Sequence, residues 1–334
     1  MSQTTGAASS TSAADDAAIS GPWDGPIIDA HQHFWEPAAG HHPWLAPEAN
    51  IPFRYGNYDA IKRRYLPPDY REDAAAHNVV ASVYIETEWD PDDPIGETRY
   101  ASGIAAEYGL PNAIVAQAWL DRADAEEVLD AQAAFALVRS VRHKPGGPQH
   151  PDEPGRTLMS DERWRRGYER LGRHGLHFDL QTPWWNLHEA CLLARDFPDT
   201  LIILNHSGLP SDRSSDGLKA WHKAVARFVE FPNVRAKISG LGQPDRPWTV
   251  ADNRWIVQEL VAMFGAERAM FASNFPVDSL CGSFDDIFNG FKEITAGLSR
   301  GKQRKLFHDT ARETYRTVHA DDKAPAGPPA PRRG

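Results

Sequence analysis

The chain has 334 residues and a formal net charge of −10, which argues against the basic surface that nucleic-acid-binding proteins need. Hydrophobic residues make up 41% of it, enough for a sizeable core, and no apolar run reaches the roughly 18 residues of a membrane helix. The two cysteines, Cys191 and Cys281, exclude a disulfide framework and a cysteine-based metal site. We expect a cytoplasmic protein with a small-molecule substrate and no nucleic-acid or membrane partner, and leave a homo-oligomer open.

The two ends of the chain differ in composition from its middle. Residues 1–22 are rich in Ala, Ser and Thr and predict a disordered tail, and residues 319–334 form a Pro-rich second tail. The first segment has no basic stretch followed by an apolar one, so it does not resemble a signal peptide. Between the tails no change of composition marks a linker, and we predict one domain over residues 23–318.

Within that domain, short β-branched runs alternate with helical patterns. The predicted strands, in chain order, cover residues 27–30, 79–86, 113–120, 136–143, 176–181, 201–206, 234–239 and 269–274. Several helical segments between them end at Gly or Pro, as helices often do. Such β/α units in a chain of this length predict a (β/α)8 TIM barrel. The alternative is an open doubly wound sheet, but HQHFW follows the first strand in place of a glycine-rich phosphate loop.

The first predicted strand runs into His31 and His33. Alternate residues of a strand point the same way, so the two imidazoles should project to the same place. A buried pair of imidazoles is costly unless something needs it. Paired imidazoles suit a divalent metal, which is the first hypothesis for this site.

The other predicted strands also end in polar side chains, and in a barrel these ends lie together at the functional face. The strand-end candidates are Glu86, Glu88, Gln117, Arg142, His143, Lys144, Asp179, Gln181, Asn205, His206, Lys237, Ser239 and residues 273–278. Loops are polar in any case, yet a polar end after nearly every apolar strand favours a functional site.

Several of these side chains suit the binding of a small molecule. Arg142 and Lys144 could hold a substrate carboxylate, and Gln181 adds a hydrogen-bonding group. Trp184 and Trp185, shortly after the fifth strand, could cover a ring-shaped substrate. The alternatives are exposure to solvent for the two cations and packing for the two tryptophans.

The motifs DAHQHFW, VRHKP, LNHSG, KISGLG and SNFPVD, in that order, resemble the amidohydrolase superfamily. The most similar group is that of predicted metal-dependent TIM-barrel hydrolases, which contains sugar lactonases and 2-pyrone-4,6-dicarboxylate lactonase. The resemblance covers about residues 25 to 318. It implies a barrel that hydrolyses a small-molecule ester, typically a lactone. By position it implies His31, His33 and His206 as ligands of a divalent metal, with zinc as the preferred ion.

Two features depart from the pattern of that superfamily. The strand-eight aspartate that usually serves as general base is replaced by Asn274, and the next carboxylate is Asp278. Two-metal members of the superfamily have a bridging lysine or glutamate on strand four and a histidine on strand five. Here Lys144 lies beyond strand four, and His177 is at the beginning of strand five. We therefore expect one divalent metal or none, with water activated by Asp278, by another group or by the metal alone.

Three functions are compatible with these residues. In the first, a lactone is opened by water that Asp278 or a metal activates, with His206 and Asn274 beside it. His143 and Lys237 would donate hydrogen bonds to the substrate oxyanion, although His206 and His143 also suit structural roles. The second function is metal-dependent, non-oxidative decarboxylation of an aromatic or unsaturated carboxylic acid. The third is a catalytically inactive barrel that binds a ligand.

Overall fold

The computed structural model of the protein describes residues 21–318, so both predicted tails lie outside the described residues except for residues 21 and 22. Eight parallel strands form one sheet in the order of the chain, which confirms the predicted (β/α)8 barrel. The strands are β1 Ile27–Gln32, β2 Val79–Ile85, β3 Ala113–Gln117, β4 Val138–Arg142, β5 His177–Leu180, β6 Ile202–Leu204, β7 Val234–Ile238 and β8 Ala269–Phe271.

Most strands end earlier than predicted, because their last polar residues leave the ladder and turn into the loops at the barrel mouth. His206 and Asn274, for example, follow β6 and β8 in left-handed backbone conformations that no strand accommodates. Only β1 is extended beyond its prediction, to Gln32. The polar strand ends therefore belong to the loops of the functional face.

Helices surround the barrel, and several begin at Ser or Thr residues whose side chains cap the first turn, as Ser214, Thr249 and Ser283 do. The helices are α1 Pro67–Asp73, α2 Gly96–Tyr108, α3 Ala125–Ala133, α4 Glu162–Arg173, α5 Leu187–Asp196, α6 Ser215–Phe228, α7 Val250–Phe264, α8 Phe284–Thr295, α9 Arg300–Arg304 and α10 Thr310–Tyr315. None of the helices between residues 21 and 318 combines the length and apolar character that crossing a membrane requires.

The barrel closes where β1 meets the segment that follows β8. The backbone N–H of Asn274 donates to the carbonyl of His31 over 2.8 Å, and the N–H of His33 donates to the carbonyl of Phe275 over 2.8 Å. The buried carboxylate of Asp29 accepts from the backbone N–H of Ser273 over 2.8 Å and from its hydroxyl over 2.6 Å. Closure thus fixes the two histidines of β1 beside Asn274.

The interior of the barrel is filled in layers, as in other barrels of this class. Apolar side chains such as Ile28, Val83 and Ile203 belong to a buried cluster distinct from the main core. The buried ammonium of Lys237 lies 2.6 Å from the carboxylate of Asp179. This ion pair is fully buried, so its charges are compensated within the protein.

Gly167 in α4 allows that helix to approach the barrel closely, because a Cβ at this position would lie 2.0 Å from the backbone oxygen of Leu120. We expect Gly167→Ala to lower the free energy of unfolding by about 1 to 3 kcal/mol, since the backbone must move to admit the methyl group. Urea denaturation measures the change.

Gly103→Ala is the control. That helical glycine is exposed with open space around it, and we expect the alanine to raise the free energy of unfolding by about 0.5 to 1 kcal/mol. Equal stability of the two variants would contradict the close approach.

Candidate active site

A cavity of about 240 Å³ opens at the carboxyl ends of the strands. Six residues predicted for the site line it together: His33, Arg142, Lys144, Gln181, His206 and Asn274. They follow or end five different strands, as expected for a site built on the functional face of a barrel.

Three residues that line the cavity have a strained backbone. The φ angles of Glu88, His206 and Asn274 are 57°, 51° and 58°, in the left-handed region that non-glycine residues rarely adopt. Each follows the carboxyl end of a strand. Such strain costs free energy and persists where the surrounding structure enforces it, which is common at functional sites.

Three imidazoles meet below this cavity. The ring centroids of His31 and His33 are 5.0 Å apart, and those of His31 and His206 are 4.5 Å apart. Nδ1 of His33 lies 2.8 Å from the carbonyl oxygen of Ile85, so this nitrogen carries the hydrogen and Nε2 keeps its lone pair. Nδ1 of His206 lies 3.1 Å from the hydroxyl of Ser239.

All three imidazoles are held in the neutral form. Burial lowers the pKa of His33 to about 3, and the nearby Arg142 cation adds to the effect. Burial likewise lowers the pKa values of His31 and His206 well below the ordinary value, and neighbouring groups that include Lys237 contribute. Neutral imidazoles can accept a proton or bind a metal.

The chemistry of these donors fits one divalent metal. Both ring nitrogens of His31 are buried and have no hydrogen-bond partner among the described residues. Nε2 of His33 lies 3.3 Å from the amide oxygen of Asn274, so a nitrogen lone pair and an oxygen lone pair face each other. Nitrogen and oxygen ligands suit zinc. Within residues 21–318, however, no three His, Cys, Asp or Glu side chains converge as a set of metal ligands. The predicted ligand set of His31, His33 and His206 is therefore not seen as one cluster, and the groups that would hold a metal are His31, His33 and the oxygen of Asn274.

The amide of Asn274 is fixed by the carboxylate of Asp278. The amide nitrogen donates to Oδ1 of Asp278 over 2.6 Å, which leaves the amide oxygen toward His33. The same Oδ1 accepts from the hydroxyl of Tyr55 over 2.9 Å and from Nη2 of Arg54 over 3.4 Å. Burial raises the pKa of Asp278, and Arg54 opposes that shift. Asp278 is buried and does not line the cavity, so its carboxylate acts on a bound molecule through the two lining residues that it holds, Asn274 and Arg54.

Arg142 and Lys144 already have carboxylate partners. Nε of Arg142 donates to Glu86 in a buried pair, and its Nη1 donates to the side-chain oxygen of Gln181 over 2.9 Å. Lys144 pairs with Glu88 over 2.8 Å, and both side chains are partly exposed. Their position on the cavity wall is compatible with the prediction that they bind a substrate carboxylate. Each of them, however, already pairs with a carboxylate of the protein.

Four of the predicted site residues lie elsewhere. Nδ1 of His143 accepts from the backbone N–H of Leu120 and the indole N–H of Trp164, so His143 braces a strand against α4. Trp184 and Trp185 line a separate groove between the β5 loop and α6. Lys237 lies inside the barrel, where Asp179 binds it, and its side chain is 0% exposed. None of the four lines the cavity described above, but Trp185 also lines a neighbouring cavity that shares Arg54, Lys144 and Gln181 with it.

Sequence reasoning missed the contribution of the long connection between β1 and α1. Trp35, Trp44 and Phe53 from this segment form an aromatic wall of the cavity, and Trp44 stacks on Phe53 at a centroid distance of 6.0 Å. Arg54 lines the cavity beside them, and Tyr55 follows it. The signal was present as a run of aromatic residues in a segment without helical or strand periodicity at the barrel mouth.

Comparisons with known proteins agree with the fold and show the family. A family model described as amidohydrolase matches residues 28–317. The chain is 41% identical over 295 residues to an uncharacterized protein, y4mH, of Sinorhizobium fredii, covering 87% of this chain and 98% of that one. It is 28% identical over 266 residues to an L-fucono-1,5-lactonase of Burkholderia ambifaria, covering 78% and 83%. A crystal structure of an amidohydrolase from Burkholderia multivorans with bound zinc superposes with a TM-score of 0.72 at 24% identity, covering 88% of this chain and 100% of that chain.

The contact between Asn274 and Asp278 predicts a pH-dependent loss of stability in Asn274→Asp. Two carboxylates would meet where an amide now donates over 2.6 Å, and one of them would have a raised pKa in the folded protein only. The folded state then binds the extra proton, so the loss of stability grows as the pH rises from about 4. We expect a loss of roughly 1 to 3 kcal/mol near neutral pH and little near pH 4. Thermal unfolding at several pH values measures it.

The double variant Asn274→Asp with Asp278→Asn is the matched control. It restores one carboxylate facing one amide, with their positions exchanged, and we expect it to regain most of the lost stability near neutral pH. A double variant no more stable than Asn274→Asp would show that the two side chains do not interact as described.

Proposed function

This chain belongs to the amidohydrolase family, and from that premise we propose that it is a hydrolase that opens a small-molecule lactone. Support comes from the two curated relatives named L-fucono-1,5-lactonase, at 28% and 26% identity. The observation that carries the proposal is the position of His206, which lines the cavity together with Asn274 while its Nδ1 lies 3.1 Å from the hydroxyl of Ser239.

His206 is the group that we propose as proton acceptor for the attacking water. Its Nδ1 is occupied by the hydroxyl of Ser239, so Nε2 is the nitrogen left for the reaction. The amide oxygen of Asn274 would accept a hydrogen bond from the second hydrogen of the same water, because the amide nitrogen donates to Asp278 on the other side. Together they would orient one water toward the carbonyl carbon of the lactone.

A divalent metal is compatible with this scheme, because the amide oxygen of Asn274 has two lone pairs, one for the water and one for the ion. His31, His33 and the oxygen of Asn274 would hold a divalent ion, which would supply the electrophile that polarises the lactone carbonyl. The aromatic wall of Trp35, Trp44 and Phe53 would cover the ring and exclude bulk water.

Water attack breaks the bond between the acyl carbon and the ring oxygen. His206 first takes a proton from the water and then returns it to the leaving alkoxide, so the product is an open-chain hydroxy acid. The carboxyl group of that product carries one oxygen from water, and acid is released as it ionises.

The test is a panel of sugar-acid lactones and pyrone carboxylates, with acid release followed by a pH indicator and carbon dioxide measured in parallel. We expect acid release without carbon dioxide. His206→Asn should lower kcat by about 100-fold or more, as the loss of an acid–base group does. His188→Asn, on the exposed surface, is the control with the same substitution. Carbon dioxide release without net addition of water would overturn the proposal in favour of a decarboxylase.

Asp278→Asn separates a direct base from a residue that acts through its neighbour. Because Asp278 holds the Asn274 amide and does not line the cavity, we expect kcat to fall less than in His206→Asn. The two variants are compared by kcat on the best lactone of the panel. If Asp278→Asn is the more damaged enzyme, Asp278 and not His206 is the base.

A further inference from the structure

The loop that follows β2 connects the barrel to the aromatic wall of the cavity. Thr87 in this loop lines the cavity, and its backbone oxygen accepts from the indole N–H of Trp44 over 2.7 Å. Its hydroxyl lies 2.7 Å from Nε2 of His42, which belongs to the same connection as Trp44. Trp44 packs edge-to-face against Trp35, with ring centroids 5.5 Å apart, and stacks on Phe53. The position of the wall therefore depends on Thr87.

Thr87 is itself held by a buried carboxylate of α2. Oε1 of Glu97 accepts from the backbone N–H of Thr87 over 2.6 Å and from its hydroxyl over 2.7 Å. The same oxygen accepts from the hydroxyl of Tyr84 over 2.9 Å. Because the Thr87 hydroxyl donates to Glu97, it accepts from His42, so Nε2 of His42 carries the hydrogen. One carboxylate oxygen thus fixes the residue on which the contacts of His42 and Trp44 converge.

The second carboxylate oxygen of Glu97 is not used in this network. Oε2 is buried and has no hydrogen-bond partner among residues 21–318, and the residue is 2% exposed. A proton on Glu97 would reside on Oε2, because Oε1 already accepts three hydrogen bonds. Protonation would weaken these three bonds, since hydrogen bonds to a charged oxygen are roughly twice as strong as those to a neutral one. Glu97 would thus loosen its hold on Thr87 when it takes up a proton.

Charge and burial around Glu97 set the pH at which this proton binds. Burial raises the pKa of Glu97 to about 8, and the negative charge of Glu86 adds to the shift. The hydrogen bonds from Thr87 and Tyr84 oppose the shift without cancelling it. Glu86 faces Glu97 from just beyond β2 and pairs with Arg142 in a buried contact, so its charge is partly compensated. Glu97 therefore changes its charge close to neutral pH.

The other titratable groups near Glu97 keep one charge state in this range. Burial lowers the pKa of His42 to about 4, so its ring stays neutral. Burial raises the pKa values of Tyr84 and Tyr100, and the charge of Glu97 contributes to both shifts, so both phenols stay protonated. His41 is the remaining imidazole beside them, exposed at the position before His42, and the experiment controls for it.

We propose that Glu97 is a positioning residue whose ionised carboxylate holds the aromatic wall in place through Thr87, so that the cavity binds its ring-shaped substrate more tightly when Glu97 is ionised than when it is protonated. Glu97 does not line the cavity and touches none of the reacting groups. It acts through Thr87, which presents its carbonyl to Trp44. This role rests on the proposed function for the identity of the ring that the wall covers, but the contacts themselves are tested without turnover.

The indole N–H of Trp44 reports on these contacts in an NMR spectrum of the full-length protein, labelled with ¹⁵N in its eleven tryptophans. The spectrum of Trp44→Phe assigns the signal, because one indole resonance disappears. We expect the Trp44 signal to shift with one midpoint near pH 8, since its acceptor Thr87 follows the charge of Glu97. The indole of Trp23, which donates to Pro26 over 3.0 Å before β1, is the internal reference and should not shift with that midpoint.

Glu97→Gln keeps the size of the side chain and imitates the protonated form at every pH. We expect its Trp44 signal to lie near the low-pH position of the unaltered protein and to lose the titration near pH 8. Two controls leave the network intact: Glu107→Gln, at an exposed position of the same helix, and His41→Gln. Both should keep the midpoint. A Trp44 signal that does not titrate between about pH 6 and pH 9.5, or that titrates equally in Glu97→Gln, would overturn the proposal.

Thr87→Val is the second variant, and it decides the question if Glu97→Gln does not fold. Valine has the shape of threonine but lacks the hydroxyl that joins Glu97 to His42. We expect the pH-dependent shift of the Trp44 signal to fall to roughly half or less, because one of two bonds from Thr87 to Glu97 is lost. Thr87→Ser keeps the hydroxyl and should keep the shift. Thermal unfolding checks the fold of each variant. A full shift in Thr87→Val would overturn the proposal.

Kinetics separate this role from the proposed function. If a lactone is hydrolysed, its KM should rise by roughly threefold or more as the pH falls from about 9 to about 6.5, after subtraction of the uncatalysed rate. In Glu97→Gln, KM should stay near the low-pH value throughout, and kcat should change less than KM. A KM with the same pH dependence in Glu97→Gln would overturn the effect on binding. If no lactone is hydrolysed but the Trp44 signal titrates through Glu97, the lactonase proposal fails and the positioning role stands.

Discussion

The hydrogen bonds that close the barrel between β1 and the segment after β8 determine the rest of the site. Asp29 accepts both the backbone N–H and the hydroxyl of Ser273, and the backbones of His31 and Asn274 bond directly. A barrel without this closure would leave an open strand edge and would not hold the β1 histidines against the strand-eight loop. The left-handed backbone of Asn274 is maintained by the same contacts.

Closure also explains how the site functions without an aspartate at position 274. The carboxylate is displaced by four residues, to Asp278, and it holds the amide of Asn274 by a 2.6 Å hydrogen bond. An amide held in this way offers an oxygen to water or metal but cannot take up a proton. In the proposed mechanism proton transfer then falls to a neutral imidazole. His33 and His206 both line the cavity, but His33 is held by Ile85 and faces Asn274, which leaves His206 for this role. The charged groups nearby are arranged in pairs: Arg142 with Glu86, Lys144 with Glu88, Lys237 with Asp179 and Arg54 with Asp278.

The strands and the place of the site could be predicted from the sequence, because polar residues after apolar runs lie together in any parallel barrel. The side that each residue faces was harder to predict. Arg142 points into the cavity and His143, its neighbour, points toward Trp164 in α4, since successive strand residues alternate. Lys237 faces inward but lies in the layer of Asp179, below the mouth.

The connection between β1 and α1 was not predictable in the same way. Its aromatic residues are visible in the sequence, but without periodicity neither their arrangement as a wall nor the approach of Arg54 to Asp278 can be predicted. These contacts join positions more than 200 residues apart, such as Arg54 and Asp278, and only the folded barrel brings them together.

The most direct measurement of the central claim, that water held by His206 and Asn274 attacks a lactone carbonyl, is isotope incorporation. The protein is incubated in H₂¹⁸O with the lactone of the panel that it hydrolyses best, and the product is analysed by mass spectrometry. The account predicts a hydroxy acid with one ¹⁸O in the newly formed carboxyl group. A product that has lost carbon dioxide, or one that carries the ¹⁸O in its hydroxyl group, would contradict it.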